Sequence, residues 1–340
     1  MHSNHKPPVP PTPVPAGNAP GGHGAFPPFP IGHPPFGGEP DKSFAPGPPP
    51  PGWTPPMADI SWVARKLLDV PYGTESAAQR LDLYYPDSGD GPFPAVIHIH
   101  GGGFALGDKR DSHMAAYLDG VRRGYVVGSI EYRFSGEAIF PAAVLDVRNA
   151  IRFLRRHAAE YSIDPGRIGV IGGSAGGNLV ALLAMNIPNG AFCGERESAH
   201  YDVQPYVCAA VDQFGPVDFK AMDRQARENG ISFADHDRPD SAESKYLGVP
   251  LPQAEDALCA MANPASYISD RMCPLLIQHG RVDRLVPFQQ SECFYREIER
   301  RLGPGRASFV PLDTADHEDR QFTEPENMRL VWDFFAMHLQ

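Results

Sequence analysis

Residues 168–184, IGVIGGSAGGNLVALLA, restrict the fold of this chain more than any other stretch. An apolar, β-branched run gives way to a helix-forming run across Gly172, Gly173, Ser174, Ala175 and Gly176, with no residues to spare for a loop. A chain that bends so abruptly needs small residues at the bend, and glycine reaches backbone conformations closed to the others. Ser174 is the one residue there with a reactive side chain. A glycine-rich turn without chemistry fits the same letters, so the rest of the chain must decide.

Strand-like and helix-like runs alternate from residue 61 onward. ARKLLDVPYG and QRLDLYYP read as two early strands able to form a hairpin, and PAVIHIH and YVVGSIEYR as strands separated by a helical run near SHMAAYLDGVRRG. PAAVLDVRNAIRFLRRHAAEY places Val144, Val147, Ile151, Leu154 and Ala158 on one helical face, with Arg148, Arg152, Arg155 and Arg156 mostly elsewhere. Strands follow in RIGVIG, YVCAAVDQFG, CPLLIQHG and ASFVPLD, and helices in NLVALLAM, FQQSECFYREIERRL and NMRLVWDFFAMHL. Alternation of this kind predicts a mostly parallel sheet covered by helices on both faces. Functional residues then belong at the carboxyl ends of the strands.

Residues 1–58 are different, holding about 20 of the 38 prolines. Proline fixes φ and removes a donor, so this arm is expected to be irregular or polyproline II. Its GAFPPFPIGHPPFGG run leaves open docking on the domain, on a second subunit as a homo-oligomer, or on another partner. Residues 59–340 are expected to form one domain, with a lid inserted at about 217–265.

The formal charge of −11 disfavours nucleic acid and anionic membranes, which call for clustered Lys and Arg. No apolar run is long enough to span a membrane, and no charged-then-apolar leader opens the chain, so the cytoplasm is the expected compartment. Five dispersed cysteines show no metal spacing and fit a reducing compartment, with disulfides left open. Neither a metal nor another cofactor is expected. His2 and His5 have no partner set for one.

Three features bear on Ser174. It occupies a G-x-S-x-G motif at a strand-to-helix junction, the setting of a nucleophile elbow. His100-Gly101-Gly102-Gly103 ends another strand, and successive glycines leave amides free to hold an oxyanion. Asp283 and His317 then follow predicted strands in the order Ser, Asp, His. Asp313 is a second candidate acid, ranked below Asp283. Asp316, Glu318 and Asp319 read as solvated loop carboxylates, and His98 and His279 as hydrogen-bonded strand histidines.

With HGGGF, YRFSGEAIFPAAVLDV, DPGRIGVIGGSAGG, HGRVDRLVP and DH in place, the chain from about residue 65 resembles hormone-sensitive-lipase-like carboxylesterases of the α/β-hydrolase fold. It looks nearest to their bacterial feruloyl- and acetyl-esterase branch. Lipase-like members usually carry an acidic residue before the nucleophile and a D-P-L-x-D acid motif, whereas here Gly173 precedes Ser174 and the acid lies in H-G-x-x-D-x-x-V-P. The resemblance implies an α/β-hydrolase with a mostly parallel eight-stranded sheet. It also implies a serine esterase in which Ser174 attacks, His317 is the base and Asp283 orients it, with Gly102, Gly103 and Ala175 donating to the oxyanion and Phe104, Ala105 and Leu106 lining the substrate pocket. A small-molecule ester of acetyl or feruloyl type is the implied substrate. An exopeptidase or amidase using the same triad, and a non-catalytic ligand-binding homologue, are the alternatives.

Overall fold

The computed structural model describes residues 55–231 and 234–339. The Pro-rich arm therefore lies outside the described residues apart from its last four, where Met57 bridges to Asp111 and the Ala58 amide donates to the Arg110 carbonyl.

The described strands are β1 (Lys66–Pro71), β2 (Arg80–Tyr84), β3 (Phe93–Ile99), β4 (Val126–Ile130), β5 (Ile163–Gly173), β6 (Ala209–Gln213), β7 (Leu275–Gly280) and β8 (Ala307–Leu312). They form one eight-stranded sheet in the order β1-β2-β4-β3-β5-β6-β7-β8. β1 and β2 make the expected antiparallel hairpin, β2 runs antiparallel to β4, and every later pairing is parallel. This is the α/β-hydrolase fold anticipated from the sequence. Central strands covered on both faces have no wet side, which is why β4 and β6 are buried along their whole length, Asp212 and Gln213 at the end of β6 included.

Helices follow the strands as α1 (Met114–Tyr117), α2 (Asp119–Arg122), α3 (Ala142–Arg156), α4 (Ala175–Ala184), α5 (Met222–Glu228), α6 (Ala242–Leu247), α7 (Asp256–Ala262), α8 (Gln289–Leu302) and α9 (Pro325–Leu339). The helical run expected near residue 114 is split into two single turns at Leu118. Gly120 lies in the second, and a Cβ there would strike the indole of Trp332 on α9.

α3 buries Val144, Val147, Ile151 and Leu154 as its spacing predicts. The expectation that its arginines face away from the core is corrected by the structure: Arg148 and Arg152 are 2% and 0% exposed. A segment from the end of α4 folds back over α3 and inserts Glu195 between them. Its Oε1 accepts from Arg148 Nε at 2.7 Å and from Arg152 Nη2. Arg148 also donates to the carbonyls of Ile187 and Pro188. Periodicity cannot foresee a distant carboxylate that makes burial of two charges tolerable.

Residues 217–265 contain α5, α6, α7 and short 3₁₀ turns. They contribute Phe219, Met222, Tyr246, Leu247 and Leu251 to the main core cluster, so much of this segment packs into the core.

Candidate active site

All the candidate residues lie where strands end. β5 stops at Gly173 and α4 begins at Ala175, leaving Ser174 alone on the bend with φ 55° and ψ −126°. A non-glycine residue in such a region costs about 1–3 kcal/mol and persists only where its surroundings enforce it. Here the Ser174 amide donates to the Gln213 carbonyl of β6 at 3.0 Å, and the Ser174 carbonyl accepts from Asn178 one turn into α4 at 3.1 Å. The flanking glycines are explained by packing. A Cβ on Gly172 or Gly176 would run into the Ile99 carbonyl at the end of β3, so the G-x-S-x-G spacing lets the β3 loop close against the bend.

His317, on the loop after β8, has its Nε2 2.9 Å from Ser174 Oγ and its Nδ1 2.8 Å from Asp283 Oδ2. Asp283, on the loop after β7, accepts at Oδ1 from the amides of Leu285 (2.9 Å) and Val286 (2.8 Å). The acceptor-only carboxylate fixes the His317 tautomer. Nδ1–H points at Asp283, and Nε2 is free to take the Ser174 proton. Burial pushes the Asp283 carboxyl upward, but the His317 charge and hydrogen bonds from His279 and His317 outweigh it and hold it well below the usual carboxylate range. Burial pulls His317 down, and the Asp283 charge and hydrogen bond, with Glu318 and Asp316 nearby, carry it above its ordinary value.

The loop after β3 curls against this triad. Gly102 and Gly103 have φ of 98° and 58°, and the amides of Ala105 and Leu106 both donate to the Gly102 carbonyl. Among the described residues no hydrogen bond uses the N–H of Gly102, Gly103 or Ala175. His100 braces the loop from beneath. Its Nδ1 is 2.8 Å from the Gly101 carbonyl and its Nε2 2.9 Å from Glu131 Oε1, while its ring stacks on Tyr132. Both neighbours only accept, so both nitrogens carry protons. The charge of Glu131 then offsets the burial that would otherwise lower the imidazole.

A cleft of about 440 Å³ opens beside the triad, lined in part by His98, His113, Tyr117, Gln213, Phe214 and Glu318. Of the three residues expected to line the substrate pocket, Phe104 is turned into the core, a correction to the sequence expectation, while Ala105 is exposed and Leu106 half-buried on the β3 loop. Phe104 has a φ of 59° and is 1% exposed, stacking on Tyr246 of α6 with centroids 3.8 Å apart. The positive φ sends this ring into the core. His98 lies tilted against Tyr117, which also lines the cleft, and its buried Nδ1 has no hydrogen-bond partner. Burial lowers its pKa to about 3 and keeps it neutral.

Several supporting residues escape sequence reasoning. Asp316 is no solvated carboxylate: Oδ1 accepts from the amides of Arg284 (2.9 Å) and His317 (2.8 Å), and Oδ2 binds the Arg284 guanidinium. It ties the Asp283 loop to the His317 loop. Asp319 caps the following 3₁₀ turn, while Asp313 pairs on the surface with Arg281, away from His317's partners. His279 is the hydrogen-bonded strand histidine expected, set between Ser291 Oγ and the Val286 carbonyl, and it also approaches Asp283 Oδ2 at 3.2 Å. Its position four residues before Asp283 in HGRVD is the signal that could have placed it. Phe214 packs edge-on against the His317 ring. Among the described residues no cluster could hold a metal ion, no helix is long and apolar enough to cross a membrane, and the five cysteines are unpaired.

Comparison with known proteins matches residues 81–298 to the BD-FAE family model. The chain belongs to the BD-FAE family. The match takes in the β3 loop, Ser174 and Asp283, while His317 lies beyond it. Among curated relatives, this BD-FAE chain is 31% identical over 256 residues to esterase LipQ of Mycobacterium tuberculosis, covering 75% of this chain and 57% of the relative. A probable carboxylic ester hydrolase of the same organism, LipM, is 28% identical over 73% of this chain and 55% of its own. The chain thus spans little more than half the length of these relatives. A solved carbohydrate esterase from gut microbiota, in truncated form, superposes with a TM-score of 0.69 at 26% identity, covering 83% of this chain and 98% of that one.

Proposed function

We propose that the chain is a serine carboxylesterase that hydrolyses small acyl esters, including esters on carbohydrate alcohols, through an acyl-enzyme on Ser174. The observation that carries this reading is the relay from Ser174 Oγ through His317 to Asp283, with both contacts under 3 Å. His317 Nε2 takes the hydroxyl proton as Oγ attacks the ester carbonyl, and later returns it to the leaving alcohol. Asp283 holds the tautomer and stabilises the imidazolium. The amides of Gly102, Gly103 and Ala175 receive the developing oxyanion at the positive end of α4, each such donor being worth about 3 kcal/mol at the transition state. Water then repeats the sequence on the acyl-enzyme.

The family membership and the names of the relatives support the ester bond as target. The carbohydrate reading draws on the gut esterase neighbour and on the polar lining of the cleft by Glu318, Gln213 and His113. The test is initial rates on p-nitrophenyl acetate, butyrate and octanoate and on a feruloyl ester, for wild type and Ser174→Ala. Turnover lost on Ser174→Ala and favouring short acyl groups is expected. A serine variant that keeps most of the activity overturns the proposal.

A further inference from the structure

His236 lies between α5 and α6, outside the triad, and is 7% exposed. Its backbone is pinned by Asp223 of α5, whose two carboxylate oxygens accept from the amides of His236 (2.8 Å) and Asp237 (3.2 Å). Its ring bridges two elements. Nδ1 stands 3.2 Å from Glu243 Oε1 on α6, and Nε2 stands 3.0 Å from the carbonyl of Leu285 on the loop that carries Asp283. A carbonyl and a carboxylate both accept, so the ring satisfies both only when doubly protonated.

The Leu285 carbonyl belongs to the same peptide group as the Val286 N–H, and that N–H donates to Asp283 Oδ1 at 2.8 Å. A continuous chain therefore runs from Glu243 through His236, across one peptide group to Asp283, then through His317 to Ser174. A cation on the carbonyl end of a peptide polarises its N–H and strengthens the bond that N–H makes. We infer that His236 is a positioning residue for the proposed esterase, a latch by which the 217–265 segment holds the Asp283 loop in register.

The inference rests on the triad reading. The groups that set the charge of His236 come from the elements packed on it: Glu243 from α6, Asp223 from α5, and Asp235 and Asp237 on its own segment, while the loop of Asp283 and Arg284 meets the ring through the Leu285 carbonyl. Burial pulls the ring down, but these carboxylates outweigh it and push it up to about 9. Above that pH one nitrogen presents a lone pair to either the Glu243 carboxylate or the Leu285 carbonyl. One contact turns repulsive and the latch loosens.

The experiment compares wild type with Ser174→Ala, Glu243→Gln and His236→Phe. Four quantities are read: kcat and KM on p-nitrophenyl acetate from pH 6 to 10, the pH of the alkaline fall in kcat, and the downfield proton resonance of His317 Nδ1. For Glu243→Gln, which keeps the ring but removes its counter-charge, the alkaline fall is expected to move down by at least one pH unit. For His236→Phe the fall near pH 9 disappears, kcat drops about tenfold, KM stays within twofold, and the resonance shifts or broadens. If His236→Phe does not fold, Glu243→Gln decides alone. An unmoved alkaline fall and an unchanged resonance in folded Glu243→Gln, with Ser174→Ala inactive, overturn the latch and leave the triad standing. Activity surviving in Ser174→Ala overturns the triad instead.

Discussion

Replacing Gly176 by alanine tests whether the glycine spacing around Ser174 is dictated by packing between the bend and the β3 loop. A Cβ at 176 would sit 2.6 Å from the His100 carbonyl oxygen and closer still to that of Ile99. Both obstacles are backbone, and neither can rotate aside. The end of β3 and the start of α4 must therefore part by most of an ångström. Overpacking of this kind costs about 1–3 kcal/mol. At about 2–4 °C of Tm per kcal/mol for a large domain, melting should fall by roughly 2–12 °C. The displacement also moves Gly102 and Gly103 away from Ala175, separating the proposed oxyanion donors, and a shift of about 1 Å near the reacting atoms costs about 10²-fold in rate. Melting followed by circular dichroism, with kcat on p-nitrophenyl acetate, measures both. Gly136→Ala is the control, since a Cβ there meets nothing within 4 Å. A Gly176→Ala protein with wild-type Tm and kcat would refute the packing argument.

Asp283→Asn should lower kcat by about 10⁴-fold and, by removing the main charge that lifts His317, move the acid limb of the kcat/KM profile to lower pH. Because the folded pKa of Asp283 is depressed, its contribution to stability is present above about pH 4 and lost as the pH falls through the folded value. The variant's Tm should therefore depend less on pH in that acid range, and a limb that stays in place would contradict the assignment of Asp283. Asp316→Ala leaves the amides of Arg284 and His317 without their acceptor, a loss of about 1–3 kcal/mol. Thermal melting should report it together with a fall in kcat, and a lower Tm with unchanged kcat would show that the Arg284–Asp316 bridge does not position His317.

Local sequence determined the framework of this protein. Ser174 was legible because only small residues can stand at so tight a strand-to-helix bend. Asp283 and His317 were legible because parallel strands deliver their following loops to one edge of the sheet. The direction of each strand followed from alternation with helices, and the antiparallel pair from a short connection. Such features depend on neighbours in the chain, so the order of residues encodes them.

Only the tertiary structure decided what lies across the chain from each group. Arg148 and Arg152 read as a polar helix face and are buried because Glu195, more than 40 residues away, reaches between them. Asp316 read as solvated and instead joins the two loops of the triad. Phe104 read as pocket lining, and a positive φ with a stacking partner on α6 sends it into the core. A charge or a ring takes its role from the partner it meets on folding. That partner is set by sheet order and by how the 217–265 segment packs, which no single stretch of sequence specifies.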